Sequence, residues 1–323
     1  MKVIIPVAGV GKRLQPHTFT KPKALLTVGG RPVLAHVLDT LLKLEPEEVI
    51  FVIGSKGELV RDFIRHNYSF KSRFVNQERL LGLGYAMHLA LEKIEKGPVL
   101  AILGDTIVEC DMEKFVQAGD NVLGLCQVAD PRRFGVAHIN DGHIDNLVEK
   151  PQQPRSDLAL IGLYYFREVE GIKKQLSALV NSGQQTAGEI QLTDALQKLI
   201  ANGEKCVPYE VHHWHDCGNK QTLLETNRYI LSKMPPPSEI KGSLLVPPVF
   251  IAPGAEIVNS ILGPNVSVAE GAVIVNSILS NTIVGSKARI SNTVLSNSLV
   301  GQNAVVTGRE QTINIGDSSE IET

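Results

Sequence analysis

The sequence predicts an α/β protein: an open sheet of mainly parallel strands with helices on its faces, followed by a small parallel β-helix built from hexapeptide repeats. Two patterns carry that reading. Up to about residue 232, short apolar runs alternate with amphipathic stretches; from about Lys241, Gly, Asn and Ser recur at fixed intervals between Val and Ile. Size agrees, because 323 residues with 43% hydrophobic content suffice for two domains with a full core. The expected division is 1–232 for the first domain, 233–241 for a linker within the proline-rich "KMPPPSEIKG", and 242–323 for the second domain.

Taken in order, "KVIIPV" (2–7) reads as a buried strand and "RPVLAHVLDTLLKL" (31–44) as a helix with its apolar stripe at Val33, Leu34, Val37, Leu38, Leu41 and Leu42. "EVIFVIG" (48–54) is the next strand, and strand, helix, strand at this spacing implies parallel pairing. A helix over 57–68, a strand over 73–77, a helix over 84–96 and a strand over 98–105 continue the pattern. In such sheets the ligand sits at the carboxyl ends of the strands, which makes Ala8 to Arg13, the segment after Gln77, and Asp105 neighbours around one crevice.

The second domain repeats. "NSILSNTIVGSKARIS" (276–291) aligns with "NTVLSNSLVGQNAVVT" (292–307), and apolar residues recur every six, as at Leu262, Val268 and Ile274. Six-residue spacing makes three short strands into one triangular coil, with Gly and Asn at corners that need positive φ.

The stretch "PVAGVGKRLQPHTFTKPKALL" (6–26) places Lys12, Arg13, Lys21 and Lys23 behind the first strand. It is not a P-loop, which would need Gly where Pro6 stands and Ser or Thr where Arg13 stands; nor is it a dinucleotide loop, because Gly9 and Gly11 are followed by Leu14 where a third glycine belongs. The cations are local, since the whole chain has 32 basic and 34 acidic residues and a net charge of −2, which argues against nucleic acid as a partner. No run is long enough to span a membrane and "MKVIIPV" is too short and weakly charged for a signal peptide, so a cytoplasmic protein is expected. Cys110, Cys126, Cys206 and Cys217 form no C-x-x-C pair and read as reduced, buried thiols.

Asp105 closes the strand "VLAILGD" beside the small Gly104, where a carboxylate over an α/β crevice is a natural Mg²⁺ ligand; Asp216 in "HHWHDCG" is the expected second carboxylate. With the cations at the end of the first strand, they describe a polyphosphate site with a metal.

These residues resemble the sugar-1-phosphate nucleotidyltransferases, especially glucose-1-phosphate thymidylyltransferases and uridylyltransferases that carry a left-handed β-helix. The likeness covers nearly the whole chain. The opening signature of that family, G-x-G-x-R-L-x-P-x-T followed by a lysine and an apolar pair, is matched by Gly9, Gly11, Arg13, Leu14, Pro16, Thr18, Lys23, Leu25 and Leu26. Gln77 with Gly82, Gly104 with Asp105, and Phe134, Gly135 and Val136 match its next elements in order. Glu149, Lys150 and Pro151 match E-K-P; Gly188, Glu189, Leu192, Thr193 and Asp194 match G-E-x-x-[LI]-T-D; Trp214, Asp216 and Gly218 match W-x-D-x-G.

The resemblance implies a Rossmann-like nucleotidyltransferase domain with a mixed, mostly parallel sheet, and a reaction in which a sugar-1-phosphate oxygen attacks the α-phosphorus of a nucleoside triphosphate and pyrophosphate leaves. No general base is needed, because the nucleophile is already ionised. Ala8, Gly9, Gly11 and Lys12 are then expected around the triphosphate, with Arg13 gripping it and Lys23 balancing charge on the α-phosphate. Gln77 and Gly82 are expected to read the base, an amide being able to satisfy both a carbonyl and an N–H. Gly135, Glu149 and Lys150 are expected to hold the sugar phosphate, and Asp105 and Asp216 to hold Mg²⁺. A pyrimidine triphosphate, dTTP or UTP, and glucose-1-phosphate are the favoured substrates; a GDP-mannose-forming enzyme and a non-catalytic nucleotide-sugar-binding relative are the alternatives.

Lys12 and Cys217 depart from the threonines common at their positions, and neither change removes a charge the chemistry needs. "HHWH" (212–215) does not suit zinc, since neighbouring histidines on a strand face opposite ways. A second, acyl-transferring site on the β-helix is disfavoured because such sites use a histidine base and none follows His215. Assembly into a homo-oligomer through the β-helix is expected instead.

Overall fold

The computed structural model describes residues 1–308. Its strands and helices in the first two-thirds are β1 (Lys2–Pro6), β2 (Thr27–Val28), β3 (Arg31–Pro32), α1 (Val33–Leu41), β4 (Glu48–Ile53), α2 (Gly57–Asn67), β5 (Ser72–Asn76), α3 (Leu83–Leu91), β6 (Val99–Ile102), β7 (Thr106–Glu109), α4 (Met112–Gln117), β8 (Asn121–Gln127), β9 (Gly135–Asn140), β10 (His143–Glu149), β11 (Leu158–Phe166), α5 (Glu170–Ser182), α6 (Leu192–Ala201), β12 (Val207–Glu210), β13 (His213–Asp216) and α7 (Lys220–Ser232). The chain divides into two compact units, one of Met1–Leu26 with Arg31–Leu223, the other of Thr27–Gly30 with the residues from Leu224 onward. That division falls inside α7, whereas the sequence pointed to the proline-rich stretch just after it.

The sheet of the first unit has nine strands, in the order β10-β9-β11-β6-β1-β4-β5, with β8 paired to β11 and β12 to β8. β1 runs parallel to β4 on one side and to β6 on the other, and β4 runs parallel to β5. β11 is antiparallel to β6, β8 and β9, which makes the sheet mixed. Alternation sends Ile4 to one face and Val3 and Ile5 to the other, each fully buried. The first face packs on Met87, Leu91, Leu176 and Leu196 from α3, α5 and α6; the second packs on Leu34, Leu38, Val60 and Ile64 from α1 and α2. Two of the predicted helices are shorter than expected. α1 gives way to a 3-10 turn at Leu42–Leu44, and α3 stops at Leu91 although apolar residues recur to Ile94.

After β5 the chain returns to the opposite side of β1 to lay down β6. That reversal opens a crevice at the carboxyl end of β1.

In the second unit, Glu256–Val258, Val273–Val275, Arg289–Ser291 and Val305–Thr307 stack in parallel register as one side of a β-helix. Leu244–Leu245, Ile261–Leu262, Ile278–Val284 and Val294–Val300 continue the stack along another. The stacked coils are those of the left-handed β-helix expected from the hexapeptide spacing. Three strict hexapeptides would give an eighteen-residue coil, but successive coils advance by 17 residues early and 16 later. The corner Gly263-Pro264-Asn265 of one coil becomes the single left-handed Asn281 of the next, which shortens the turn. At the start of this unit the fully buried Asn227 accepts the Gly29 N–H at 2.8 Å, and any side chain at Gly30 would run into the ring of Phe250.

Candidate active site

A cavity of about 470 Å³ occupies the crevice. Ala8, Gly9, Gly11 and Lys12 after β1, Gln77 after β5, Gly82 before α3, Asp105 after β6, and Lys23 all line it, so eight of the sequence-predicted residues meet in one place. Leu80 and Glu189 line it too and were not singled out as site residues by the sequence.

Local geometry explains each placement. A Cβ on Gly54 would stand 2.6 Å from the Ala8 carbonyl oxygen, so the loop after β1 rests directly on the neighbouring backbone. Gly11 sits at φ 68°, its carbonyl accepts the Thr18 hydroxyl at 2.9 Å, and a 3-10 turn from Lys12 to Leu14 follows. The turn needs glycine, and Thr18 of the signature is what holds it. Gly82, at φ 105°, has the Glu189 Cβ and the Ile190 backbone where its own side chain would be. The buried Gln77 amide donates to the Gly82 carbonyl at 3.2 Å, which ties the two expected base-reading groups together.

Asp105 and Asp216 are far apart in sequence and adjacent in space. β7 and β13 form an antiparallel pair with Asp216 opposite Thr106, and the Cys217 N–H donates to the Asp105 carbonyl at 3.0 Å. The Lys23 ammonium hydrogen-bonds Asp105 Oδ2 and stands 4.0 Å from Asp216 Oδ1. Burial pushes the Asp216 carboxyl above the usual carboxylate range, with the Asp105 charge adding to that and Lys23, Arg13 and Arg133 opposing it. A Cβ on Gly218 would lie 2.7 Å from both Asp216 oxygens and 3.1 Å from the Arg13 guanidinium, so this glycine makes room for an arginine beside the carboxylate. Arg13 therefore belongs to the Asp216 side and does not line the cavity itself. Arg133, which the sequence reading passed over next to the Phe134-Gly135-Val136 element, contributes a further positive charge there.

The two carboxylates and the cation on them also test the expected metal. Among the described residues no cluster of three or more His, Cys, Asp or Glu side chains suits a metal ion, so a cation bound here would draw its remaining ligands from water and substrate. That is the coordination habit of Mg²⁺, which takes one or two carboxylates and completes its octahedron with water and phosphate oxygens. Asp105 and Asp216 fit it.

Gly135, Glu149 and Lys150 form a second cluster, outside the cavity lining. Gly135 lies opposite Glu149 in the β9/β10 pairing. Glu149 is held on two sides: the buried Thr193 hydroxyl donates to Oε2 at 2.6 Å, and the Lys150 ammonium is 3.2 Å from Oε1. A Cβ on Gly135 would meet Thr193 Oγ1 at 2.8 Å and the Leu160 side chain at 2.9 Å. The glycine is thus required by the protein's own packing, a reason additional to the sugar approach the sequence suggested. Phe134, just before it, packs edge-to-face on Trp214 at 5.2 Å, linking this cluster to the strand that carries Asp216. Trp214 therefore packs on protein.

The profile of the nucleotidyl transferase family matches residues 2–233. The chain belongs to that family. A GlmU-like C-terminal hexapeptide profile matches residues 233–315. The chain is 33% identical over 238 residues to the bifunctional protein GlmU of Methanococcus maripaludis, covering 72% of this chain and 55% of that protein. It is 32% identical over 245 residues to a glucose-1-phosphate thymidylyltransferase of Streptomyces griseus, covering 73% and 68%, and 30% identical over 241 residues to the low-salt glycan biosynthesis nucleotidyltransferase Agl11 of Haloferax volcanii, covering 72% and 66%. The matches thus span little more than half of the GlmU relatives. Among solved structures, a putative glucose-1-phosphate thymidylyltransferase from Bacillus anthracis in complex with a sucrose superposes with a TM-score of 0.64 at 26% identity, covering 74% of this chain and 98% of that one. Among the described residues no helix is long and apolar enough to cross a membrane.

Proposed function

We propose that this nucleotidyl transferase joins a sugar-1-phosphate to a nucleoside triphosphate, forming a nucleotide sugar and pyrophosphate. The observation that supports it most is Lys23: one ammonium, on a cationic loop, reaches two carboxylates at the end of a crevice large enough for a nucleotide. Both reactants are anions, so catalysis rests on screening their repulsion and holding them in line. In this reading the backbone from Ala8 to Lys12 and the Arg13 guanidinium hold the triphosphate, and Gln77 and Gly82 face the base. Lys23 neutralises charge on the α-phosphate as a sugar-phosphate oxygen attacks the α-phosphorus and the bond to pyrophosphate breaks. Glu149 accepts hydrogen bonds from sugar hydroxyls and Lys150 pairs with the sugar phosphate. Asp105 and Asp216 would hold Mg²⁺, which supplies charge neutralisation on the reacting phosphates.

For the finer specificity we propose dTTP or UTP with glucose-1-phosphate. The Gln77 amide suits a pyrimidine edge, and the Streptomyces griseus relative bears a thymidylyltransferase name. We further propose that residues 1–232 act as the catalytic domain in the cytoplasm, with 233–241 as linker, and that residues 242–323 join copies of the chain. The last is supported by Leu244, Ile261, Ile278 and Val294, exposed aliphatic residues that stack in register along one outer side of the β-helix.

The test is pyrophosphate release with Mg²⁺ over a grid of dTTP, UTP, GTP, ATP and CTP against glucose-, galactose-, mannose- and N-acetylglucosamine-1-phosphate. Release with dTTP or UTP and glucose-1-phosphate is expected. A blank grid with nucleotide binding intact would overturn the catalytic reading, and release confined to GTP and mannose-1-phosphate would overturn the specificity.

A further inference from the structure

The β9/β10 hairpin has two faces, and the sugar-phosphate cluster uses one. Ala137 and Leu147 point with Glu149 toward the α6 side, both buried in the core. Val136, His138, Asn146 and Val148 point the opposite way. Over that opposite face, the segment that returns from β10 to β11 forms a roof, and the two enclose a groove of about 500 Å³. The groove is separate from the crevice, with which it shares no lining residue.

Its chemistry is specific. Val136, Val148 and Pro151 give an aliphatic floor. Asp145 is paired with His138, Nδ1 to Oδ1 at 2.7 Å, and sits at an irregularity in the β9/β10 register. Arg155 has no carboxylate partner among the described residues, and the side-chain amides of Asn146 and Gln153 have no hydrogen-bond partner among them either. One uncompensated guanidinium, two open amides and an aliphatic floor match a small hydroxylated molecule with one anionic group. The guanidinium takes a phosphate or carboxylate bidentately, the amides take hydroxyls, and the C–H face of a sugar ring rests on the valines.

We propose that this groove is a second binding site, for an anionic sugar, and that its occupancy tunes the affinity of the sugar-phosphate cluster on the other face of the hairpin. This rests on the reading of Glu149 and Lys150 given above. The connection is covalent and short. Pro151 lines the groove, and the preceding Lys150 is held at φ 45° with its N–H on the Phe134 carbonyl at 2.9 Å. A ligand that moves Pro151 therefore moves the residue whose ammonium flanks Glu149.

The experiment is calorimetric titration of the full-length protein with glucose 6-phosphate, glucuronate and neutral glucose, in the wild type, Arg155→Ala, Val148→Trp and Glu149→Gln. Either anion should bind the wild type and Glu149→Gln alike, with at least tenfold weaker binding in Arg155→Ala and Val148→Trp and none for glucose; which anion binds identifies the charged group. The bound anion should also change the sugar-1-phosphate KM in the wild type at least twofold and leave it unchanged in Arg155→Ala. No anion binding, binding insensitive to Arg155, or binding lost in Glu149→Gln and kept in Arg155→Ala would each overturn the proposal. Pyrophosphate release by Arg155→Ala in the absence of the anion is expected at the wild-type rate, so loss of the groove is distinguishable from failure of the catalytic reading.

Discussion

In the β-helix Asn276 donates to Asn292 and Asn281 to Asn297, while the Ser260 and Ser277 hydroxyls accept N–H groups from the next coil. In the crevice Lys23 lies against Asp105 and Asp216, and Arg13 and Arg133 add charge beside them. Both regions are rich in polar groups, yet the first arranges them as repeating pairs that complete one another and the second crowds charges whose balance changes when an anion enters. Polar residues that satisfy each other hold a fold together; charges gathered in excess of structural need are available for chemistry.

Mutations on the two sides should therefore separate activity from stability. The largest expected effect is Lys23→Ala, which should lower kcat by about a hundred- to a thousandfold, the scale for losing one transition-state charge contact, with a much smaller change in sugar-1-phosphate binding. Steady-state kinetics with both substrates varied checks it, and equal turnover would remove Lys23 from its assigned role. Next, Mg²⁺ at about a hundred times its Kd should stabilise the wild type by about 2.7 kcal/mol, read as a rise in Tm without substrate. Asp216→Asn should abolish that rise.

Thr193→Val should raise the sugar-1-phosphate KM on the order of ten- to a hundredfold, since a hydrogen bond to a charged group is worth about 1.5–3 kcal/mol. The triphosphate KM should stay near wild type and Thr193→Ser should recover most of the loss, which a purely structural role for the hydroxyl would not give. On the other side of the comparison, Asn281→Ala removes a ladder hydrogen bond at φ 42° and should cost about 1–3 kcal/mol by denaturant titration, with pyrophosphate release per folded molecule unchanged. Smallest is Val294→Ser on the exposed outer side, expected within about 0.5 kcal/mol of wild type. A change in oligomer size with that substitution, read by light scattering, would show that the aliphatic stack is an interface.

The parallel half of the sheet was legible because β1, β4 and β6 are continuous apolar runs separated by amphipathic helices, with the shorter and more polar β5 following from its place between α2 and α3. β8, β9 and β11 were not placed in detail, because antiparallel neighbours contributed by distant segments leave no local signature of their partners. The crevice was legible at Gly9, Gly11 and Asp105 for a similar reason: those residues follow strand ends, where position in the chain already specifies position in the site, whereas Lys23 lies in a 3-10 turn and was legible only through its motif. Glu189 reaches the crevice only because Ile190 and Leu81 pair across it, and Arg133 matters only because β13 brings Asp216 near it. Thr193 was visible as part of a motif, but its hydroxyl has a role only once β10 has delivered Glu149. The 16-residue period of the late coils was legible as the repeat of 276–291 in 292–307, whereas the 17-residue advance of the earlier coils depends on a Gly-Pro-Asn corner that local spacing does not announce.

The late coils of the β-helix repeat at 16 residues, with Ile278 above Val294 and Asn281 above Asn297. A segment such as 276–291 carries its own strands, its own corner asparagines and both ends of its inter-coil hydrogen bonds. An in-frame tandem duplication of that stretch of coding sequence would thus add a complete coil whose donors and acceptors are already matched to the coils on either side. Length in this domain is accessible to replication slippage in single heritable steps, whereas the crevice, assembled from four separated motifs, can change only one codon at a time.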